Sequence, residues 1–414
     1  MAVQLTDALV LRCGATLKNR IAKAAMTEGV ANSVNQATHA HGRLYDRWAD
    51  GGAGMLLTGN VQVDRRFLER PGNVAIDGNG GFEELAAYAK AGKRDGTHIW
   101  MQINHPGRQA GCGSERFVAP SAWPAGDAPQ EARALASDEI ENICERFIHV
   151  ARVAQQTGFT GVQVHAAHGY LVSQFLSPIS NRRDDQWGGS LESRARLLLN
   201  VVTGIRAELG AEFPISVKLN SSDFQKGGLS EEESCQIVGW LCELGIDLLE
   251  ISGGNYESQV MVGRDESGEL LSRSKKATTR TREAYFLDFA KRLRPLVNVP
   301  LMVTGGFRTR LAMQAALAGG EMDVVGLARP LCIDPAFVNK LLAGEIDRLP
   351  SPEEETLADT GSAIAYYFNQ LRKLAAGEDA DTTIDWREQA QRHAAFDDAA
   401  AARYHQVFDG NSQT

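Results

Sequence analysis

Short apolar runs alternate along this chain with longer segments whose apolar positions recur at helical spacing. Eight runs read as strands: Arg20–Met26, Ala53–Asn60, His98–Asn104, Thr160–His165, Pro214–Asn220, Ile246–Ser252, Val299–Thr304 and Asp323–Ala328. Gly54-Met55-Leu56-Leu57 and Asp247-Leu248-Leu249-Glu250-Ile251 are nearly continuous, the pattern of parallel strands covered on both faces. Amphipathic segments lie between them. In Ser137–Thr157 the apolar face is Ile140, Ile143, Phe147, Val150 and Ala151, with Ser137 as the expected cap. Ser190–Leu209 repeats the pattern, and Ser230–Leu244 opens with a capping box, Ser230-Glu231-Glu232-Glu233. Strand and helix in eightfold alternation predict an α/β chain folded as a (β/α)8 TIM barrel over 1–345. A doubly wound dinucleotide domain should carry G-x-G-x-x-G near its first strand, and none is present. Three long connections, 105–136, 166–189 and 253–280, each follow a strand and so belong to the C-terminal face of the barrel, where a pocket is expected. Residues 346–414 are acidic and Ala-rich but keep scattered aromatics. They read as a helical C-terminal extension packed on the barrel or on a partner subunit.

Composition narrows the function classes. The net charge of -9 lacks the basic face that nucleic acid requires. The start of the chain has neither the basic nor the apolar region of a signal peptide, and no window reads as a membrane span. Six scattered cysteines form no C-x-x-C pair, which suggests neither a disulfide scaffold nor a zinc knuckle. A cytoplasmic location is the expectation, with no nucleic-acid or membrane partner.

The densest chemistry is the run from His165 to Pro178. His165 and His168 stand three residues apart, Tyr170 follows two later, and all come at the end of the fourth predicted strand. Two imidazole N–H groups converging on one substrate oxygen would stabilise negative charge developing there. The phenol of Tyr170, protonated at neutral pH, suits a general acid. A metal site at the pair is the competing reading and would make the protein a metal-dependent lyase or hydrolase. It needs further ligands, and no third His or Cys lies nearby in sequence. A redox-sensing module docking through the acidic extension is a third reading.

Gly305 and Gly306 end the seventh predicted strand, and Ala328 and Arg329 end the eighth. Barrels build phosphate sites from these two turns: glycine lets backbone approach the anion, and a guanidinium adds charge. Gln102 and Lys218 are polar residues inside apolar strands, placed to reach a polar planar ligand from the barrel interior. Thr27 and Asn60 end strands one and two.

With Lys23-Ala24-Ala25-Met26-Thr27, Gln102-Ile103-Asn104-His105-Pro106-Gly107-Arg108, the His165–Pro178 run continuing to Arg194, and the two phosphate turns, the chain resembles the old yellow enzyme family of FMN-dependent oxidoreductases over about residues 1–345. The resemblance implies bound FMN, with NAD(P)H as reductant and an activated alkene as the second substrate. Backbone at Ala24, Ala25 and Met26 would flank the isoalloxazine. Thr27 would bond near its O4, Gln102 would bond its pyrimidine edge, and Lys218 would sit near N1 and O2. Asn60 stands where the family places a small residue. Gly305, Gly306, Ala328 and Arg329 would hold the phosphate. The implied reaction is ping-pong: His165 and His168 bind the substrate oxygen, hydride comes from flavin N5, and Tyr170 supplies the proton. The family's habit implies a homo-oligomer. Longer members carry an iron–sulfur cluster and a nucleotide-binding domain. With no cysteine after Cys332, a single flavin domain with a helical tail is expected.

Overall fold

In the computed structural model, which describes residues 2–124, 131–254, 286–352, 360–381 and 385–410, eight parallel strands close into a barrel. They are β1 (Ile21–Lys23), β2 (Met55–Gln62), β3 (His98–Asn104), β4 (Gly161–Ala166), β5 (Ile215–Asn220), β6 (Leu248–Ser252), β7 (Leu301–Thr304) and β8 (Val324–Leu327). Each pairs with its sequence neighbour, and β8 pairs with β1 to complete the circle. All eight predicted strands are present: β3 keeps its predicted bounds, β2 and β4 start later and run on to Gln62 and Ala166, and the other five are shorter than predicted.

Helices follow the strands: α1 (His39–Asp50), α2 (Phe82–Gly92), α3 (Ser137–Gln156), the short α4 (Leu171–Leu176), α5 (Leu191–Leu209), α6 (Glu231–Glu243), α7 (Leu287–Leu293), α8 (Arg310–Ala318) and α9 (Phe337–Ala343). The capping box of α6 forms as expected: Ser230 Oγ accepts from Glu233 N–H at 3.2 Å, and Glu233 accepts from Ser230 N–H. Ser137 does not cap α3. It is the first helical residue, and Ala136 occupies the cap, with its own N–H bonded to Glu139 Oε2 at 2.9 Å. A serine followed by two acids fits either register, and here the Glu139 bond selects the earlier one, with the helix starting at Ser137 itself.

Strand pleat divides the barrel into inner and outer faces. The outer face packs on the helices in one continuous apolar core. The interior is layered. Its floor is Ala22, Met55, Leu57, Trp100, Leu248, Met302 and Val324, closed from below by Leu11 and Leu17 of an N-terminal hairpin. Above the floor the inward positions turn polar, with Gln102, Gln163, Lys218 and Glu250 all buried.

Beneath α1, outside the barrel, lies a buried charged cluster. Lys23 Nζ donates to Tyr45 Oη (2.8 Å) and to the Leu57 carbonyl (2.6 Å), with its ammonium 4.5 Å from the Trp48 ring centre. Glu28 Oε1 accepts from Tyr45, Tyr88 and Gly59 N–H. Complete burial pulls Lys23 down to about 8 against the opposing attraction of Glu28. The Gly59 bond fixes an irregularity in β2: Leu57 pairs with Trp100 but Asn60 with Gln102, so one extra residue bulges outward. A Cβ on Gly59 would overlap the Glu28 carboxylate.

Beyond the barrel, α10 (Thr360–Ala376) packs on α1 and on the turn after β8, and α11 (Trp386–Gly410) packs on α10. No described helix is long and apolar enough to cross a membrane.

Candidate active site

The polar layer is a chain of contacts across neighbouring strands. Gln102 donates to Gln163 Oε1 at 2.8 Å, and Gln163 donates to Glu250 Oε2 at 2.9 Å. Glu250 pairs with Lys218 Nζ at 3.0 Å, both side chains buried. Lys218 is therefore an interior residue, and its charge at the mouth is shared with a carboxylate. The sequence reading missed Gln163 and Glu250, although both carry the signal that marked Gln102: one polar residue on the inward parity of an apolar strand.

One step higher are the imidazoles. Strand register puts His165 beside Lys218. The His165 ring lies 5.0 Å from that of His168 and 4.8 Å from that of Tyr170, edge-on to both. His165 Nδ1 accepts from Ala167 N–H at 3.2 Å, so its single proton belongs on Nε2. His168 adopts a left-handed φ of 63°, held by its N–H to Asn220 Oδ1 and by a 2.7 Å bond between Nε2 and Ser252 Oγ. Burial, then the positive charge of Lys218, pushes both imidazoles well below the usual histidine range. They are neutral hydrogen-bonding groups rather than cations. Among the described residues no set of three His, Cys, Asp or Glu side chains could hold a metal.

Tyr170 caps α4, and the next residue anchors that helix: Leu171 N–H donates to the His105 carbonyl at 3.0 Å. His105 is buried, with Nδ1 accepting from Gly107 N–H, and burial lowers it to about 4. Its unfolded value is 6.5, so the unfolded chain binds the extra proton first as pH falls. Acid titration of stability should therefore show a loss of up to roughly 3 kcal/mol between pH 6.5 and 4 that His105→Gln removes. A pH profile unchanged by that substitution would count against it.

At β1, Ala24 N–H donates to the Leu327 carbonyl, which leaves Ala24, Ala25 and Met26 to continue over the rim. Cys332 Sγ lies 3.5 Å from Met26 Sδ. Thr27 Oγ1 bonds Asn60 Oδ1 (3.0 Å) and Glu69 Oε2 (3.3 Å), and Asn73 also donates to Asn60 Oδ1. The Asn60 side chain thus acts on Thr27.

Opposite, Gly305, Gly306, Ala328 and Arg329 line one cavity of about 90 Å³ with Thr304 and Gly326. Gly305 and Gly306 take φ of 128° and 83°, backbone that favours glycine. A Cβ on Gly326 would overlap Thr304 Oγ1, itself buried without a hydrogen-bond partner. Bare backbone, an unsatisfied hydroxyl and a guanidinium around one small cavity fit a phosphate. Gly326→Ala should weaken FMN retention about tenfold or more, read as the flavin-to-protein absorbance ratio after dialysis. Full retention would show that the cradle does not grip the cofactor. The connection 253–280 lies, from residue 255 onward, outside the described residues.

Residues 11–347 match the model of the NADH:flavin oxidoreductase / NADH oxidase family. An NADH-dependent flavin oxidoreductase of Hypocrea jecorina is 36% identical over 353 residues, spanning 79% of this chain and 86% of its own. Among solved structures, an old yellow enzyme homologue from Zymomonas mobilis superposes with a TM-score of 0.69 at 25% identity, covering 89% of this chain and 99% of its own. A 2-naphthoyl-CoA reductase gives 0.77 at 25% identity, and there the match covers 89% of this chain but 56% of that one.

Proposed function

The chain belongs to the NADH:flavin oxidoreductase / NADH oxidase family and uses FMN with NAD(P)H as reductant; from that premise we propose that it reduces activated C=C bonds of unsaturated carbonyl or nitro compounds. The observation that carries the proposal is the gathering of His165, His168 and Tyr170 at one rim, with the imidazoles kept neutral by burial. FMN, when bound, supplies the hydride acceptor and donor. The protein supplies the rest. Gly305, Gly306, Ala328 and Arg329, which line one cavity, would hold the phosphate. Gln102 and the Lys218–Glu250 pair would face the ring system from the barrel interior, and Thr27, just past β1, with Asn60 of β2 would meet it from the rim.

His165 Nε2–H donates to the substrate oxygen, and His168 faces the same oxygen from its fixed left-handed backbone. Neutral donors polarise the double bond without placing a full positive charge beside Lys218, which would be costly in a dry site. Tyr170 would give its phenolic proton to the α-carbon. Small molecules are the partners of this site, and assembly into a homo-oligomer is part of the proposal.

Anaerobic half-reactions test it. The purified protein should be yellow and should bleach with NADH or NADPH. A small enone should then restore the colour stoichiometrically. A reduced protein that dioxygen reoxidises but no enone or nitroalkene does would defeat the alkene reading while leaving the family intact.

A further inference from the structure

The C-terminal helices lie beyond the family match, which ends at residue 347, yet they touch the loops that frame the flavin site. The Phe368 ring of α10 lies 3.9 Å from the Arg70 guanidinium carbon. Arg70 Nε donates to both oxygens of Glu69, at 3.0 and 3.1 Å. Glu69 is buried and is one of the two acceptors of Thr27 Oγ1. The neighbouring Tyr367 ring sits 6.0 Å from Arg329. From α11, Tyr404 donates to the Arg65 carbonyl at 2.7 Å and packs with Phe408 on Leu68 and Ala75. The loop between β2 and α2 is thus pinned from above along its length.

We propose that Phe368 is a positioning residue for the flavin, acting through Arg70 and Glu69 on Thr27. This rests on the reading that FMN occupies the rim beside Thr27. A carboxylate linked to the flavin through the Thr27 hydroxyl opposes the negative charge that would arrive on reduction. Arg70 offsets that charge only while it stays folded over Glu69. The aromatic face against its guanidinium favours that position. The extension therefore sets how strongly Glu69 is felt and where the Thr27 hydroxyl points. Tyr367 braces Arg329 at the phosphate end, so adjacent residues of one helix reach both ends of the cofactor.

The test compares Phe368→Leu, which keeps bulk and loses the ring face, with Phe368→Trp, which keeps the face. The readouts are FMN dissociation constant, flavin midpoint potential, flavin absorbance and thermal stability of the apo-protein. Phe368→Leu should bind FMN about threefold to tenfold more weakly and lower the midpoint potential. Phe368→Trp should restore both, and Glu69→Gln should raise the potential. Unchanged affinity and potential in Phe368→Leu, with only a lower melting temperature, would overturn the relay and leave plain packing. A wild-type chain that takes up no FMN would instead remove the functional reading beneath it.

Discussion

Tyr170→Phe should slow reoxidation by an enone about 10²- to 10⁴-fold, the range for losing a positioned general acid, while reduction by NAD(P)H proceeds nearly unchanged. The asymmetry follows from what each half-reaction asks of the protein. Hydride delivery from the nicotinamide needs no proton at carbon. Alkene reduction does, and the phenol stands edge-on to His165, with its ring 4.8 Å away, at the start of α4. Removing one oxygen leaves the ring and its packing in place, so a folding defect is not the expected cause of the loss. Stopped-flow spectroscopy of the two phases checks it. Equal damage to both phases would mean that Tyr170 shapes the pocket instead of protonating substrate.

Lys218→Met should lower the stability of the apo-protein by about 3–5 kcal/mol. The lysine stem is replaced by a side chain of similar length, so little packing is lost. What remains is Glu250, fully buried, with the Gln163 amide for company and no cation at 3.0 Å. Adding Glu250→Gln should return much of the lost stability, because it removes the stranded charge. Denaturant melts of the single and double variants measure this. A single variant as stable as the parent would show that the Glu250 charge is already satisfied by other groups.

Most of the fold was legible in the sequence because apolar runs and helical periods are local signals. The barrel strands stand where the patterning put them, and Ser230 caps α6 through a bond three residues away. The family residues of the mouth were legible as motifs, since His165, His168 and Tyr170 lie within six positions of each other. What could not be read was closure in space. Ser252 and Asn220 fix His168 from β6 and β5, which lie far off in the chain and meet it only when the circle forms. Glu250 was visible as one acid in an apolar run, but its pairing with Lys218 on the neighbouring strand appears only when β5 and β6 lie side by side. Phe368 gave no signal: an aromatic at that spacing on a helix reads as ordinary core until Arg70 is found beneath it.

The outward bulge in β2 couples two regions that homology-guided engineering would treat as separable. Without the extra residue, Asn60 would fall on the opposite parity and turn its amide toward α1, away from Thr27. The bulge is held by a carboxylate contributed from the preceding connection, so Glu28 and Gly59 form one unit across two chain segments. A chimera that grafts the second strand of a relative onto this scaffold should therefore keep its flavin environment only when both positions are transplanted together.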